Sequence, residues 1–370
     1  MYFYRKGRGR YRAAPRDALK AALASVERKR LEAEKRGQYV SQLKNGKLPA
    51  EFMPRLASLL YKPEKACIEW KALEEACAEL KLTPARLIER CGGIPSTHGY
   101  HLDRFLFEYF PHGVAFPELA PPPAPDDLPV ANAEAFSIDD VTTTEIDDAF
   151  SISVRSDGTV LVGIHIAAPA LGVAPGSPID LVARERLSTV YFPGGKITML
   201  PENTIGRFSL GEDGDRPALS LYLELDIDHA VISAQTRIER VRIAANLRHT
   251  DLEAVLGAEA LAAGRVEHRF GKELLILSRF ADACLRARRK DQPEIESRPE
   301  YSFYVDDDQV RIVRRQRGTP LDRIVSELMI YVNNAWGRQL ADAGAAAIYR
   351  VEESGKVRLS TVSAGHEGLG

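Results

Sequence analysis

The sequence is poor in cysteine and lacks long apolar runs. The cysteines among its 370 residues, Cys67, Cys77, Cys91 and Cys284, form no Cys-x-x-Cys pair and have no zinc-type spacing. We therefore expect reduced thiols and a cytoplasmic location. No apolar run approaches the length of a membrane span and no signal peptide is present, so we expect no membrane partner.

The overall composition is ordinary, but the charge is unevenly distributed. The chain is 45% hydrophobic and 28% charged, which is typical of a globular protein with two or three domains. The net charge is -2, yet the first fifty residues carry fourteen Lys and Arg against four Asp and Glu. This asymmetry predicts contact with a polyanion, and a solvated basic helix is the alternative.

The most informative segment is acidic. Five carboxylates lie within ten residues: Asp139, Asp140, Glu145, Asp147 and Asp148. Strand-like apolar residues, including Phe136 and Phe150, lie on either side of them. Carboxylates held close together repel one another unless a cation lies among them, and magnesium prefers oxygen ligands. The segment therefore predicts a magnesium site, although charge alone also fits a solvated acidic turn.

The order of residues in this segment resembles a known family. Ile-Asp, a Thr-rich run and then Glu-Ile-Asp-Asp-Ala-Phe, over residues 138–150, resembles the signature of the ribonuclease II (RNB) family of exoribonucleases. Further blocks follow in the family's order, from about residue 131 to the end of the chain. They lie at 163–169, 175–180, 188–194, 199–201, 209–210, 216–217, 298–303, 324–330, 360–361 and 366–370.

The resemblance implies both a fold and an activity. Alternating strands at 161–166 and 218–225, followed by helices at 253–263, 273–289 and 322–341, predict an α+β domain with a mixed sheet over 131–370. The family implies a magnesium-dependent (Mn²⁺ as substitute) 3′-to-5′ exoribonuclease. It would be a monomer that hydrolyses single-stranded RNA to 5′-mononucleotides by a two-metal mechanism.

The resemblance also implies site residues. Asp139, Glu145, Asp147 and Asp148 are expected to hold the metal, and Asp139, Asp147 and Asp148 are the expected catalytic acids. Asp147 would hold the second metal and the attacking water. Glu145 stands where the family usually has Asp, and its extra methylene displaces the carboxylate.

Three further residues are implied to contact RNA. Tyr191 and Phe303 match aromatics that sandwich a base, and Glu327 matches a carboxylate near the terminal ribose. Without the resemblance, each ring would be interpreted as a core aromatic. His249 stands where the family can carry Tyr. Ala168 stands where the family usually carries Asp.

The front of the chain departs from the family's usual cold-shock barrels. Residues 1–62 predict a basic, largely helical arm, with a helix over 14–36. Residues 63–116 predict a small helical domain, with helix caps at Thr83 and at Ser96 or Thr97. That domain fits a helix-turn-helix or winged helix, and a plain helical adaptor equally well. A proline-rich linker occupies 117–130.

Two alternatives to the exoribonuclease remain at this point. The chain stops at Gly370, before the family's Ser-Pro-x-Arg block, so we expect the catalytic domain to be incomplete at its carboxyl end. A catalytically weak RNA-binding protein of the same fold is therefore the first alternative. A DNA-binding regulator that uses the front helices is the second.

Overall fold

The computed structural model describes residues 2–123, 125–141, 143–212, 214–288, 300–307, 309–315 and 318–349. The predicted blocks at 298–299, 360–361 and 366–370 lie outside these residues. The strands are β1 (Phe3–Gly7), β2 (Arg10–Ala13), β3 (Val130–Asp139), β4 (Asp148–Val154), β5 (Val160–Ala167), β6 (Val190–Phe192), β7 (Gly195–Ile197), β8 (Asp215–Leu225), β9 (Val231–Arg248), β10 (Glu300–Asp306) and β11 (Gln309–Arg315).

The helices fall into an early and a late group. The early helices are α1 (Arg16–Lys44), α2 (Leu56–Tyr61), α3 (Ile68–Leu80), α4 (Pro84–Arg90) and α5 (Thr97–Tyr109). The later helices are α6 (Pro178–Arg186), α7 (Glu202–Phe208), α8 (His249–Glu253), α9 (Ala258–Ala263), α10 (Gly271–Arg288) and α11 (Pro320–Asp342). Within the described residues, no helix is both long enough and apolar enough to cross a membrane.

The chain folds into two compact units that alternate along the sequence. The first contains Met1–Ala120, Pro175–Pro201 and Pro299–Gln316. The second contains Pro121–Ala174, Glu202–Arg298 and Arg317–Gly370.

Helices α1 to α5 dominate the first unit. Their core contains Tyr39, Leu43, Phe52, Leu73 and Leu87, all buried. The predicted caps are confirmed, since Thr83 Oγ1 accepts the Arg86 N–H at 3.4 Å and Ser96 Oγ accepts the Gly99 N–H at 2.9 Å. Helix α1 continues past the predicted end at residue 36 because its last turns carry buried residues of this core.

A five-stranded barrel forms the centre of the second unit. Strands β3, β4, β5, β8 and β9 pair in that order and close into a barrel. Strand β3 pairs with β9 in parallel and with β4 antiparallel, which confirms the mixed sheet and the α+β class. One strand face, including Phe136, Phe150 and Ile164, packs on α10 and α11 through residues such as Leu277 and Leu328.

The opposite strand face lines the barrel interior. Many of its residues are small or polar, as suits a narrow barrel, and Val241 and Ile243 are larger apolar members. The small or polar residues include Ala135, Ala149 and Ala218 as well as His165, which is fully buried. His165 bonds to Ser151 Oγ through Nε2 and to Ser220 Oγ through Nδ1, both at 2.8 Å, and joins β4, β5 and β8. Burial lowers the pKa of His165 to about 3, so this imidazole is neutral at physiological pH.

Candidate active site

The acidic segment connects two neighbouring barrel strands. Asp139 is the last residue of β3 and Asp148 is the first residue of β4. The two strands are in register at Phe136 and Phe150, so the two aspartates lie at the same end of the barrel. Glu145 and Asp147 lie on the loop between them, and Asp140 is exposed.

Backbone hydrogen bonds hold the loop before Asp148 in place. The Ile146 N–H donates to Ser209 Oγ at 2.8 Å, and the Ile146 carbonyl accepts the Leu210 N–H at 2.8 Å. The Asp147 carbonyl accepts the Ala167 N–H at 2.8 Å. Consecutive peptide groups are therefore fixed to two other parts of the barrel unit, which restricts the directions open to Asp147 and Asp148.

The first half of the loop is held by Arg248, the last residue of β9. Its guanidinium donates to the carbonyls of Asp140 at 3.0 Å and Thr143 at 3.3 Å. Arg248 is also paired with Asp139 across the parallel β3–β9 ladder. This side chain thus brings positive charge next to the acidic segment while binding its backbone.

A short chain of hydrogen bonds orients Asp139. The buried Ser137 hydroxyl donates to Asp139 Oδ2 at 2.5 Å. Asn246 Nδ2 in turn donates to Ser137 Oγ at 2.9 Å and to the Leu210 carbonyl at 3.0 Å. Asn246 therefore links the support of Asp139 to the segment that holds Ile146.

Burial and mutual repulsion raise the proton affinity of two of the acids. Burial raises the pKa of Asp148 to about 7, with smaller contributions from the charges of Asp139 and Asp147. Burial also raises the pKa of Asp139, against the Ser137 hydrogen bond and the neighbouring Arg248, which lower it. These effects show that Asp139, Asp147 and Asp148 are close enough to interact electrostatically.

The residues of this site suit a divalent cation. In the described part of the chain, no three His, Cys, Asp or Glu side chains already form a complete metal-binding group. Asp148 Oδ2, however, is buried and has no hydrogen-bond partner. A buried carboxylate oxygen without a donor is costly, and a hard cation shared with neighbouring carboxylates would satisfy it.

The two aromatic residues predicted to contact RNA lie in the first unit. Tyr191 in β6 is 69% exposed and Phe303 in β10 is 51% exposed, which excludes the alternative that they are core residues. Their hairpins, β6–β7 and β10–β11, lie side by side. A Cβ atom on Gly194 would come within 2.9 Å of Val305 Cγ2.

Glu327 lies in α11 and is only 4% exposed. It forms an ion pair with Arg288, with Nε of Arg288 3.3 Å from its Oε2. Both residues line a cavity of about 530 Å³ between α10, α11 and the β8–β9 turn. The prediction that Glu327 lies near a ribose stays a prediction.

Sequence reasoning missed the residues that support the acids. Ser137 could have been found, because it lies two residues before Asp139 and so on the same strand face. Asn246 and Arg248 gave no local signal, since they meet the acidic segment only through the long-range β3–β9 pairing.

The RNB domain family model matches residues 129–362, which is more than half of the chain. The chain belongs to the RNB-domain family. The resemblance identified from the acidic segment is therefore confirmed.

Among curated relatives, Exoribonuclease 2 of Serratia proteamaculans is 30% identical over 219 residues, covering 58% of this chain and 34% of the relative. Ribonuclease R of Chlamydia muridarum is 25% identical over 221 residues, covering 59% of this chain and 31% of the relative. The chain thus spans about a third of the length of these relatives.

Solved structures share the fold. The Dss1 exoribonuclease active-site mutant from Candida glabrata aligns with a TM-score of 0.65 at 19% identity, over 84% of this chain and 46% of that protein. RNase R of Mycoplasma genitalium, in complex with ribose-methylated single-stranded RNA, aligns with a TM-score of 0.52 at 18% identity. The alignment covers 61% of this chain and 35% of that protein. Yeast Ssd1, described as a pseudonuclease, aligns with a TM-score of 0.51 at 16% identity, over 66% of this chain and 32% of that protein. The fold therefore occurs in nucleases and in a pseudonuclease, so nuclease activity has to be inferred from the residues of the site and not from the fold.

Proposed function

We propose that this RNB-family chain is a magnesium-dependent exoribonuclease that removes 5′-mononucleotides from the 3′ end of single-stranded RNA. The observation that carries the proposal is the buried, unpartnered oxygen of Asp148 beside the charges of Asp139 and Asp147. An aspartate in that position costs stability unless it binds something positive.

Each acid has a distinct part in the proposal. Asp139, Asp147 and Asp148 would hold the magnesium ions, with Glu145 as a further or water-mediated ligand. Bound magnesium would neutralise charge on the phosphate and promote the formation of a nucleophilic water. The Ser137 hydroxyl keeps Asp139 in one orientation, and the bonds to Ile146 and Asp147 fix the loop that carries the other acids.

The other predicted residues would bind the RNA strand. Tyr191 and Phe303 present exposed rings, which suit stacking on bases without reading their sequence. Glu327 would contact the terminal ribose, and that role requires a rearrangement of its ion pair with Arg288.

A catalytically weak RNA-binding protein is the second candidate. Glu145 in place of the family's Asp supports it. Yeast Ssd1, described as a pseudonuclease, has a similar fold.

A labelled-RNA assay separates the two candidates. Single-stranded RNA labelled at its 5′ end is incubated with magnesium and the wild-type chain, Asp147→Asn or Asp140→Asn. The exoribonuclease predicts a ladder that shortens from the 3′ end, is lost in Asp147→Asn and persists in Asp140→Asn, because Asp140 is not among the expected metal ligands. Intact RNA that is still bound by all three proteins would favour the binding protein.

A further inference from the structure

The beginning of the chain folds into an exposed β-hairpin. Strands β1 and β2 pair antiparallel, with Tyr4 opposite Arg12 and Arg5 opposite Tyr11. Every residue of both strands is exposed. We call residues 2–13 the amino-terminal hairpin.

The hairpin carries uncompensated positive charge. Its cations are Arg5, Lys6, Arg8, Arg10 and Arg12, and the first carboxylate of the chain is Asp17. Across the described residues, none of these cations lies in an ion pair. The cations of helix α1 differ, because Arg28 pairs with Glu32 at 4.0 Å and Arg30 with Glu27 at 2.6 Å.

The hairpin also exposes aromatic rings on both faces. Phe3 is 57% exposed and Tyr11 is 68% exposed, and Tyr2 and Tyr4 are exposed as well. Residues opposite each other in an antiparallel pair share a face, so Tyr4 lies with Arg12 and Tyr11 lies with Arg5. A two-stranded hairpin has no core of its own, so packing does not explain these rings. They form an interaction surface.

The pairing of rings with guanidinium groups fits single-stranded nucleic acid. Aromatic rings stack on unpaired bases while Arg and Lys neutralise the phosphates. A duplex keeps its base faces stacked inside, so it cannot use the rings. An anionic membrane would also attract the cations, but a membrane-bound segment places its apolar side chains on one face, whereas this hairpin has rings on both.

We propose that the amino-terminal hairpin is a binding site for single-stranded nucleic acid that is separate from the acidic segment. It tolerates any sequence, because every base has a face on which a ring can stack. It binds RNA and DNA alike, because neither stacking nor phosphate contact requires the 2′-hydroxyl. The proposal goes beyond the proposed hydrolysis and does not depend on it.

Binding of labelled oligouridylate and oligothymidylate to the full chain, in EDTA, tests the rings. Tyr4→Ala combined with Tyr11→Ala should raise Kd for both probes by about tenfold or more. The matched variant, Tyr4→Phe with Tyr11→Phe, keeps the rings and should keep the affinity. Unchanged affinity in the alanine variant would overturn the proposal.

The salt dependence of the same binding tests the cations. Arg5→Gln with Arg12→Gln should reduce the slope of log Kobs against log salt concentration by about 1.4, since each phosphate contact on a single strand contributes about 0.7. Arg28→Gln with Arg30→Gln removes the same charge from ion pairs on α1 and should change the slope less. Equal slopes for both variants would contradict a specific role of the hairpin.

Two further comparisons separate this proposal from its rivals. Asp147→Asn should keep oligothymidylate binding whether or not it abolishes RNA hydrolysis, so loss of one function does not imply loss of the other. Co-sedimentation with phosphatidylserine vesicles tests the membrane. If the alanine variant lost vesicle binding but kept oligonucleotide affinity, the hairpin would be a membrane contact and the proposal would be wrong.

Discussion

Replacing Ser137 by alanine should loosen Asp139 while leaving the barrel folded. Ser137 is fully buried, and its hydroxyl lies 2.5 Å from Asp139 Oδ2 and 2.9 Å from Asn246 Nδ2. Its neighbours on the interior face of the barrel include Ala135 and Ala149. An alanine side chain therefore fits this face, and the change removes one oxygen atom and leaves only a small gap.

The size of the effect follows from the hydrogen bond that is lost. A hydrogen bond to a charged group contributes about 1.5–3 kcal/mol. The Ser137 bond also lowers the pKa of Asp139, so its removal lets protons compete better with a cation. We expect the magnesium concentration for half-maximal RNA shortening to rise by about tenfold, which corresponds to about 1.4 kcal/mol.

Ser151→Ala is the matched control. Ser151 lies on the interior face of β4 and bonds to the neutral His165 at 2.8 Å rather than to an acid. Urea denaturation in EDTA should show a loss of about 1–2 kcal/mol of unfolding free energy in both variants. Only Ser137→Ala should shift the magnesium dependence. The same magnesium requirement in both variants would refute a positioning role of Ser137.

Two further predictions concern the barrel interior and the exposed rings. The pKa of His165 is about 3 in the folded chain, below the value of about 6.5 in an unfolded one. The contribution of His165 to the unfolding free energy is therefore complete above about pH 6.5, because both states are then neutral. It falls by about 2 kcal/mol between about pH 7 and about pH 5, where the imidazole of the unfolded chain becomes protonated. Asp148, whose pKa is about 7, acts in the opposite direction over this range, so the comparison of two proteins isolates His165. Urea denaturation at both pH values should show that lowering the pH costs His165→Gln about 2 kcal/mol less unfolding free energy than it costs the wild type. The same pH dependence in both proteins would exclude the contribution of His165. Tyr191→Ala should leave the unfolding midpoint unchanged, because the ring is exposed, and raise KM for single-stranded RNA by about fivefold or more. Tyr191→Phe should behave as wild type, and equal KM values for all three proteins would argue against stacking.

Local signals in the sequence predicted much of the fold. Clean alternation over 161–166 and 218–225 marked β5 and β8, and a capping residue before a proline marked the start of α4 at Thr83. The helix predicted over 253–263 is instead two helices, α8 and α9, with Gly257 at the start of the second. Glycine weakens helices, so this break could have been predicted.

Features that depend on distant contacts could not be predicted. Barrel closure requires β3 to pair with β9, and the Asn246–Ser137 bond joins residues 109 positions apart. Neither partner shows a local pattern that names the other. The amino-terminal hairpin was missed for a different reason, because strands without a buried face show no apolar alternation.

The acidic segment was recognised from the order of its residues, and the structure supplies what that order could not. It shows that Asp148 has a buried oxygen without a partner and that Asp139 is oriented by Ser137. The assignment of the four acids as metal ligands comes from the family resemblance and remains a prediction, which these contacts of Asp139 and Asp148 support.

Anomalous X-ray diffraction from crystals grown with Mn²⁺ would show whether the acidic segment binds a divalent cation. We expect a manganese peak bonded to Asp148 Oδ2 and shared with the carboxylates of Asp139 and Asp147, and no such peak in crystals of Asp148→Asn. Manganese bound only elsewhere, with Asp148 Oδ2 still without a metal partner, would contradict a divalent-cation site in the acidic segment.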